Sequence, residues 1–222
     1  MNLHFVTYSD YKYTNRQKEL DEKAKKNFIL HSYTREWLIC TEFYKSNKEI
    51  LDLDRGGGYW LWKPYIILET LKKIENNDIL FYLDCGDIFI PELQTFLFSY
   101  FENINNNYIF TLGGRNKQKT YTKRDCFILM NCDNEYYYEQ IQLEAGILCF
   151  RKIKENIELV EEWLRYCMNK NILTDIDNIT KQNLTGFIDH RHDQSILTNL
   201  VTKYNFRANH LLRKYIICNV NQ

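Results

Sequence analysis

Two aspartates, Asp84 and Asp87, flank Gly86 at the end of the apolar run Ile-Leu-Phe-Tyr-Leu at 79–83. Paired carboxylates on one tight turn offer a hard divalent cation two anionic oxygens and leave its other positions to water and phosphate oxygens. Near the other end of the chain, residues 189–194 read Asp189-His190-Arg191-His192-Asp193-Gln194. Either histidine there could ligate a metal or touch a diphosphate. Between these clusters in type is the stretch Arg55-Gly-Gly57-Gly-Tyr59-Trp60-Leu-Trp62-Lys63-Pro64. Its glycines permit close approach of backbone to ligand or positive φ. Arg55 and Lys63 could hold a pyrophosphate, while Tyr59, Trp60 and Trp62 could stack on a base or a sugar ring. The stretch lacks the GK[ST] ending of a P-loop and the spacing of a dinucleotide fingerprint, so glycines alone identify nothing. Each cluster also has a plainer explanation. The acids could form an ordinary turn, the tryptophans could fill core gaps, and Asp193 could complement a helix dipole.

Chemistry of this kind needs elements to position it. The run at 79–83 is too short for a helix and too continuous for an edge strand, which predicts a strand buried on both faces. Its acids then sit at the carboxyl end, where open α/β sheets bind their ligands. Residues 2–7 read as a first strand, placing Thr7 and Tyr8 where nucleotide-binding units contact base and ribose. Helices are expected over 16–26, 35–44, 64–76, from Pro91 to about 104, over 122–132 with Thr122 as cap, over 153–170, and from 196 onward. Short strands are expected at 28–31, 108–112 and 147–150, the last preceded by Glu144-Ala145-Gly146. The basic segment 115–123 reads as a loop, and 205–222 as a closing strand with a basic tail. The expectation is one α/β domain over 1–222, with a mainly parallel central sheet flanked by helices. Its nucleotide-binding part covers about 1–112, and its acceptor and closing part about 113–222.

Composition narrows the function classes. Hydrophobic residues at 45% and aromatics at 15% of 222 residues support a sizeable core. Lys plus Arg and Asp plus Glu number 29 each, so net charge points to no nucleic-acid partner. The 7 cysteines are irregularly spaced without a Cys-x-x-Cys pair, which suits reduced thiols in a cytoplasmic protein and argues against zinc or disulfide frameworks. No signal peptide is readable and no stretch approaches the ~18 apolar residues of a membrane span.

The order of parts, Val6-Thr7-Tyr8, then the Arg55–Pro64 stretch, then Asp84-Cys-Gly86-Asp87, Glu144-Ala-Gly146 and His190-Arg-His192-Asp193-Gln194-Ser195-Ile196, resembles a known family. It is similar to small GT-A-fold, sugar-nucleotide-dependent glycosyltransferases of bacterial surface-polysaccharide clusters and large DNA viruses, including those of algae. The resemblance implies a Rossmann-like GT-A core, a nucleotide-diphosphate sugar donor with UDP favoured, and a glycan acceptor. It also implies Mn²⁺ or Mg²⁺ on a DxD-type motif, here spaced D-x-x-D. On it, Asp84, Asp87 and His190 are the expected metal ligands. Thr7, Tyr8, Arg55, Gly57, Tyr59, Trp60, Trp62, Lys63, Asp84, His190, His192 and Gln194 are the expected donor contacts. Glu144 and Asp193 are the candidate catalytic groups, as a base on the acceptor hydroxyl. Two other readings use the same residues: a nucleotidyltransferase or phosphohydrolase, and a non-catalytic module binding a nucleotide sugar or glycan.

Overall fold

The computed structural model describes residues 1–104 and 106–218. Its strands are β1 (Leu3–Ser9), β2 (Ile29–Thr34), β3 (Ile79–Leu83), β4 (Asp87–Phe89), β5 (Tyr108–Lys117), β6 (Ile141–Arg151), β7 (Ala208–Asn209) and β8 (Ile216–Cys218). Six form one sheet in the order β2-β1-β3-β6-β5-β7, and β4 pairs with β8 apart from it. The β2–β1, β1–β3 and β5–β7 pairings are parallel; β6 runs antiparallel to both β3 and β5. The architecture is the expected α/β class, with three of the five pairings of the six-stranded sheet parallel.

β3 is central, and all five of its residues are buried. Alternation sends Val6, Leu80, Tyr82, Leu148 and Phe150 into a core shared with helices Trp62–Lys73, Lys154–Cys167 and His192–Lys203. Phe5, Ile79, Phe81 and Cys149 enter the opposite core, under helices Thr14–Ala24 and Glu92–Asn103. Trp163, Phe5, Phe81 and Phe150 are fully buried. Each such side chain stabilises the fold by about 1.5–3 kcal/mol, so the sheet is a rigid platform for what its strand ends carry.

Several expected elements come out differently. The helix expected over 35–44 is two, Arg35–Ile39 and Glu42–Ser46, because the Thr41 hydroxyl accepts the Tyr44 N–H at 3.1 Å and caps a new start. Thr122 caps nothing: its hydroxyl donates to Gln118 Oε1 at 2.8 Å, and the next helix, Arg124–Leu129, begins after Lys123. The segment expected as a loop from 115 starts as strand, since β5 runs on to Lys117. Glu144-Ala145-Gly146 lies inside β6 and not ahead of it. There β6 bulges: Phe110 faces Leu148, but Leu112 faces Leu143. Two steps on β5 thus span five on β6, which bends the strand beside the β3 terminus. Of the expected closing segment, 216–218 forms β8, and residues 219–222 lie outside the described residues. Among the described residues, no helix is long and apolar enough to cross a membrane.

Candidate active site

Asp84 follows directly on β3, and its N–H donates to the Gly146 carbonyl in the β6 bulge at 2.9 Å. A Cβ on Gly146 would stand 2.8 Å from Asp84 Oδ2. Glycine there is therefore what admits the carboxylate. Asp84 Oδ1 accepts from the Tyr82 hydroxyl and pairs with Lys63 Nζ at 3.3 Å. Lys63 lies on the first turn of helix Trp62–Lys73, is 2% exposed, and its Nζ also stands 3.3 Å from Asp193 Oδ2. One buried ammonium thus ties the end of β3 to the start of helix His192–Lys203. Burial opposes the charge on Lys63, yet Asp193 and Asp84 outweigh it and hold its pKa above the ordinary value. Burial drives the Asp193 carboxyl up to about 6; Lys63 resists the rise and Asp84 adds to it.

The glycine stretch forms a left-handed turn. Gly56, Gly57 and Gly58 have φ of 58°, 59° and 98°, and Tyr59 and Trp60 continue at 53° and 58°. Glycine takes this conformation freely, whereas each L-residue there is disfavoured by about 1–2 kcal/mol. Two contacts compensate: Trp62 Nε1 donates to the Gly56 carbonyl at 2.9 Å, and the Trp60 ring stacks on His192 at 5.4 Å. Gly58 packs so closely that a Cβ would lie 2.6 Å from Leu51 Cα. The turn turns its glycine backbone toward the loop after β1, where Asp10 Oδ2 is 3.7 Å from the Cβ position of Gly57.

The two histidines differ. His190 Nε2 donates to the Ile172 carbonyl at 2.9 Å, and its Nδ1 accepts from the Lys123 N–H at 3.3 Å. Both ring nitrogens are engaged by the main chain, which corrects the expectation that His190 ligates a metal. His192 Nδ1 donates to the Leu173 carbonyl at 2.8 Å, and this places the ring's lone pair on Nε2. That buried atom has no hydrogen-bond partner. Burial lowers the pKa of His192 and so favours the neutral ring. Asp175 Oδ1 lies 3.8 Å from the same nitrogen.

Two adjoining cavities run along these groups. One, about 340 Å³, lies between the loop after β1 and the glycine turn, and Tyr8, Asp10, Gly57, Trp60, Trp62 and Asp84 are on its wall. The other, about 260 Å³, is enclosed by Arg55, Lys63, Asp84, His192, Asp193 and Gln194, with His190 and Trp60 beside them. Asp84 and Trp60 belong to both, so they mark the seam. Volumes of this order suit small-molecule sites.

The remaining expected site residues lie elsewhere. Thr7 is fully buried on the other side of β1, its hydroxyl donating to Asp21 Oδ1 at 2.7 Å. It faces the helix Thr14–Ala24 and not the cleft. Arg55 lines the second cavity, but Asp175 at 2.8 Å and Asp189 at 2.6 Å take its guanidinium. It therefore clamps the 175–189 segment to the glycine turn instead of offering a free cation to phosphate. Tyr59 packs edge-on against His192 at 4.8 Å without reaching either cavity wall. Glu144 is ion-paired with Arg213 and also stands off both walls. Asp87 heads β4, opposite Cys218, outside both cavities. Tyr8 contributes less ring than expected, because Trp62 stacks on it at 3.9 Å. Asp10, among the polar residues expected after the first strand to contact base and ribose, does line the first cavity. Sequence reasoning missed Lys12, Tyr13 and Asp54 there and Arg191 on the second. For Lys12 and Tyr13, proximity to Tyr8 was a usable signal.

Among the described residues, no group of three or more His, Cys, Asp or Glu side chains is arranged to hold a metal ion. What the cleft does offer is the Asp84 carboxylate and the unpartnered His192 Nε2 on the wall of one cavity. Oxygen and imidazole donors suit Mn²⁺, and one or two protein ligands suffice where phosphates supply the rest.

No family model and no curated protein matches the chain. Solved structures do resemble it. The apo bifunctional glycosyltransferase WbbM matches with a TM-score of 0.51 and 12% identity over 94% of this chain and 38% of its own. A glycosyltransferase involved in the glycosylation of the major capsid of PBCV-1 gives a TM-score of 0.49 and 10% identity over 100% of this chain and 96% of that one. Mouse xyloside xylosyltransferase 1 gives 0.47 and 12%, over 95% and 85%. The chain has the GT-A type of α/β fold.

Proposed function

We propose that this chain is a glycosyltransferase that moves a sugar from a nucleotide-diphosphate donor, UDP-linked by preference, to a glycan acceptor. One observation carries the reading: two cavities meet at a carboxylate on the end of the central strand, with a buried Lys–Asp pair beneath it. The nucleotide fits the cavity between the β1 loop and the glycine turn, where backbone can approach closely. The sugar fits the second cavity, whose walls supply Gln194, Asp193 and His192 as polar partners for hydroxyls. The diphosphate then falls at the seam. A fold shared with solved glycosyltransferases supports the assignment without deciding the donor.

Mn²⁺ or Mg²⁺ would be held by Asp84 and His192 Nε2, since Asp87 lines neither cavity. When bound, such an ion supplies Lewis acidity to the departing diphosphate. The protein's own groups do the rest. Lys63 fixes the Asp84 carboxylate by pairing with Oδ1, and the Tyr82 hydroxyl donates to the same oxygen. Burial and then the Asp84 charge keep that hydroxyl protonated, its pKa well above the ordinary value. Trp60, stacked on His192, lies on the wall of both cavities at the seam. Of the two candidate bases, Glu144 is tied to Arg213 off both walls, and Asp193 is the one on the sugar-side wall, its carboxyl at about 6 and able to accept a hydroxyl proton above that pH.

The test is a panel of nucleotide sugars with and without Mn²⁺, read by thermal shift and by nucleoside diphosphate release. Preferential stabilisation by one UDP-sugar, with slow UDP release, is expected. Stabilisation without any release would make the chain a binding module, and absence of any nucleotide-sugar effect would defeat the reading altogether.

A further inference from the structure

Behind Gln194 lies a closed network of amides. Gln142, on β6, is 1% exposed, and Gln118 is 0% exposed. Gln142 Oε1 accepts from Gln194 Nε2 at 3.1 Å, and Gln194 Oε1 accepts from the Ala145 N–H at 3.4 Å. Gln142 Nε2 in turn donates toward Gln118 Oε1 at 2.8 Å, the Tyr121 carbonyl at 3.1 Å and Ser195 Oγ at 3.1 Å. Gln118 Nε2 donates to the Ser195 carbonyl at 3.0 Å and to Asn199 Oδ1 at 2.8 Å.

The polarity of this chain of amides is determined by its ends. The carbonyls of Tyr121 and Ser195 can only accept, so Gln142 and Gln118 must turn their NH₂ groups toward them. The Ala145 N–H can only donate, so Gln194 must turn its oxygen toward β6. Reversing any one amide would set two donors or two acceptors against each other in a site closed to water, where an unmet partner is costly. Gln194 itself is half-buried and on the wall of the sugar-side cavity. An amide has two donor hydrogens and two acceptor lone pairs; with one of each spent on Gln142 and Ala145, one of each is left.

We propose that Gln142 is a positioning residue: it locks the direction and polarity of the Gln194 amide so that one N–H and one carbonyl lone pair face the sugar being transferred. This deepens, and rests on, the donor assignment above. Gln142 touches no substrate in this arrangement, and its effect passes entirely through Gln194. The sugar-side cavity is thereby built to recognise adjacent hydroxyls, one accepting and one donating, in a fixed order.

The experiment reads the amide itself as well as turnover. In ¹⁵N-labelled protein the Gln194 side-chain signals are assigned by their loss in Gln194→Ala. In the wild-type chain they are expected to be dispersed, with one proton protected from exchange. An unprotected, undispersed pair overturns the proposal without any variant of Gln142. In Gln142→Met, or Gln142→Leu should the methionine variant not fold, the acceptor for Gln194 Nε2 is gone and the pair is expected to collapse toward free-amide values. An unmoved pair overturns the proposal. In the kinetic arm, Gln142→Met should lower kcat on the order of 10- to 100-fold while the Kd for UDP changes by less than about twofold. Adding Gln194→Ala should cost nothing further, and additive losses would mark Gln142 as merely structural and overturn it. If wild-type protein turned over no nucleotide sugar, the donor assignment would fail, and the amide signals would still decide whether Gln142 holds Gln194.

Discussion

Replacing Lys63 with methionine isolates the energetics of the cleft, because the side chains match in length and only the ammonium is lost. Lys63 Nζ stands 3.3 Å from each of two carboxylates. At that distance each pair attracts by about 5 kcal/mol for an effective dielectric of about 20. Desolvation of the buried ammonium offsets most of this gross term, and breaking a buried pair nets about 3–5 kcal/mol of lost stability. For a domain of this size that corresponds to a fall in Tm of about 6–20 °C. The loss should depend on pH in a definite sense. The Asp193 carboxyl stands at about 6 with Lys63 present, and without the cation it moves higher. At pH 6 the lone carboxyl takes a proton and the damage is limited; at pH 8 it must be ionised or held neutral at a growing cost. Urea unfolding of wild-type, Lys63→Met, Asp193→Asn and the double variant at pH 6 and pH 8 measures each part. The double variant should recover most of the loss. A Lys63→Met loss within about 0.5 kcal/mol, as at an ordinary surface site, would refute the reasoning. So would strict additivity of the two changes.

Other predictions follow from single residues. Gly58→Ala should lose about 2–5 kcal/mol in urea unfolding, since φ is +98° and the new Cβ meets the Leu51 backbone. Gly86→Ala should fall within about 0.5 kcal/mol, because nothing lies within 4 Å of its Cβ position. At the other end of the sheet His31 Nε2 lies 2.9 Å from His4 Nδ1, and His4 Nε2 lies 3.1 Å from Asp78 Oδ2. Burial, then His4 and Lys73, depress the His31 pKa to about 4. A depressed histidine favours the neutral fold, so its stability is complete above about pH 6.5 and falls as pH drops toward 4. With the ring only half buried the effect is about 1–2 kcal/mol, and a His31→Asn variant should show a flatter Tm against pH over that window. Arg55→Ala should cost less than about 1 kcal/mol by thermal unfolding, because its ion pairs are largely solvated.

What the sequence made legible was local. The five-residue apolar run of β3 and the acids after it needed no distant partner to be recognised. The glycine run announced its positive φ, and the Lys154–Cys167 helix its stripe of Val160, Leu164 and Cys167, though not the burial of Leu159 and Trp163 beside it. What failed was non-local. Arg55 is captured by carboxylates 120 and 134 positions away, a pairing that no spacing rule contains. The choice between the two histidines depended on the carbonyls of Ile172 and Leu173. The antiparallel insertion of β6 beside β3 was equally hidden, since a buried strand reads alike in either direction. Thr7 is the instructive miss. Alternation along β1 puts it with Leu3 and Phe5, facing away from Tyr8, and parity alone would have shown this. Tyr59 and Trp60 extend the left-handed turn against their own preference, and contacts from outside the run, the Trp62 bond to the Gly56 carbonyl and the packing of both rings on His192, offset the cost.

The central claim is that the carboxylate at the end of β3 serves a nucleotide diphosphate at the seam of two cavities. Titration calorimetry of UDP with and without Mn²⁺, on wild-type and Asp84→Asn protein, tests it most directly. The account predicts Mn²⁺-dependent binding in the wild type, weakened on the order of tenfold or more in Asp84→Asn. Equal UDP affinity in both proteins, whether or not Mn²⁺ is present, would contradict it.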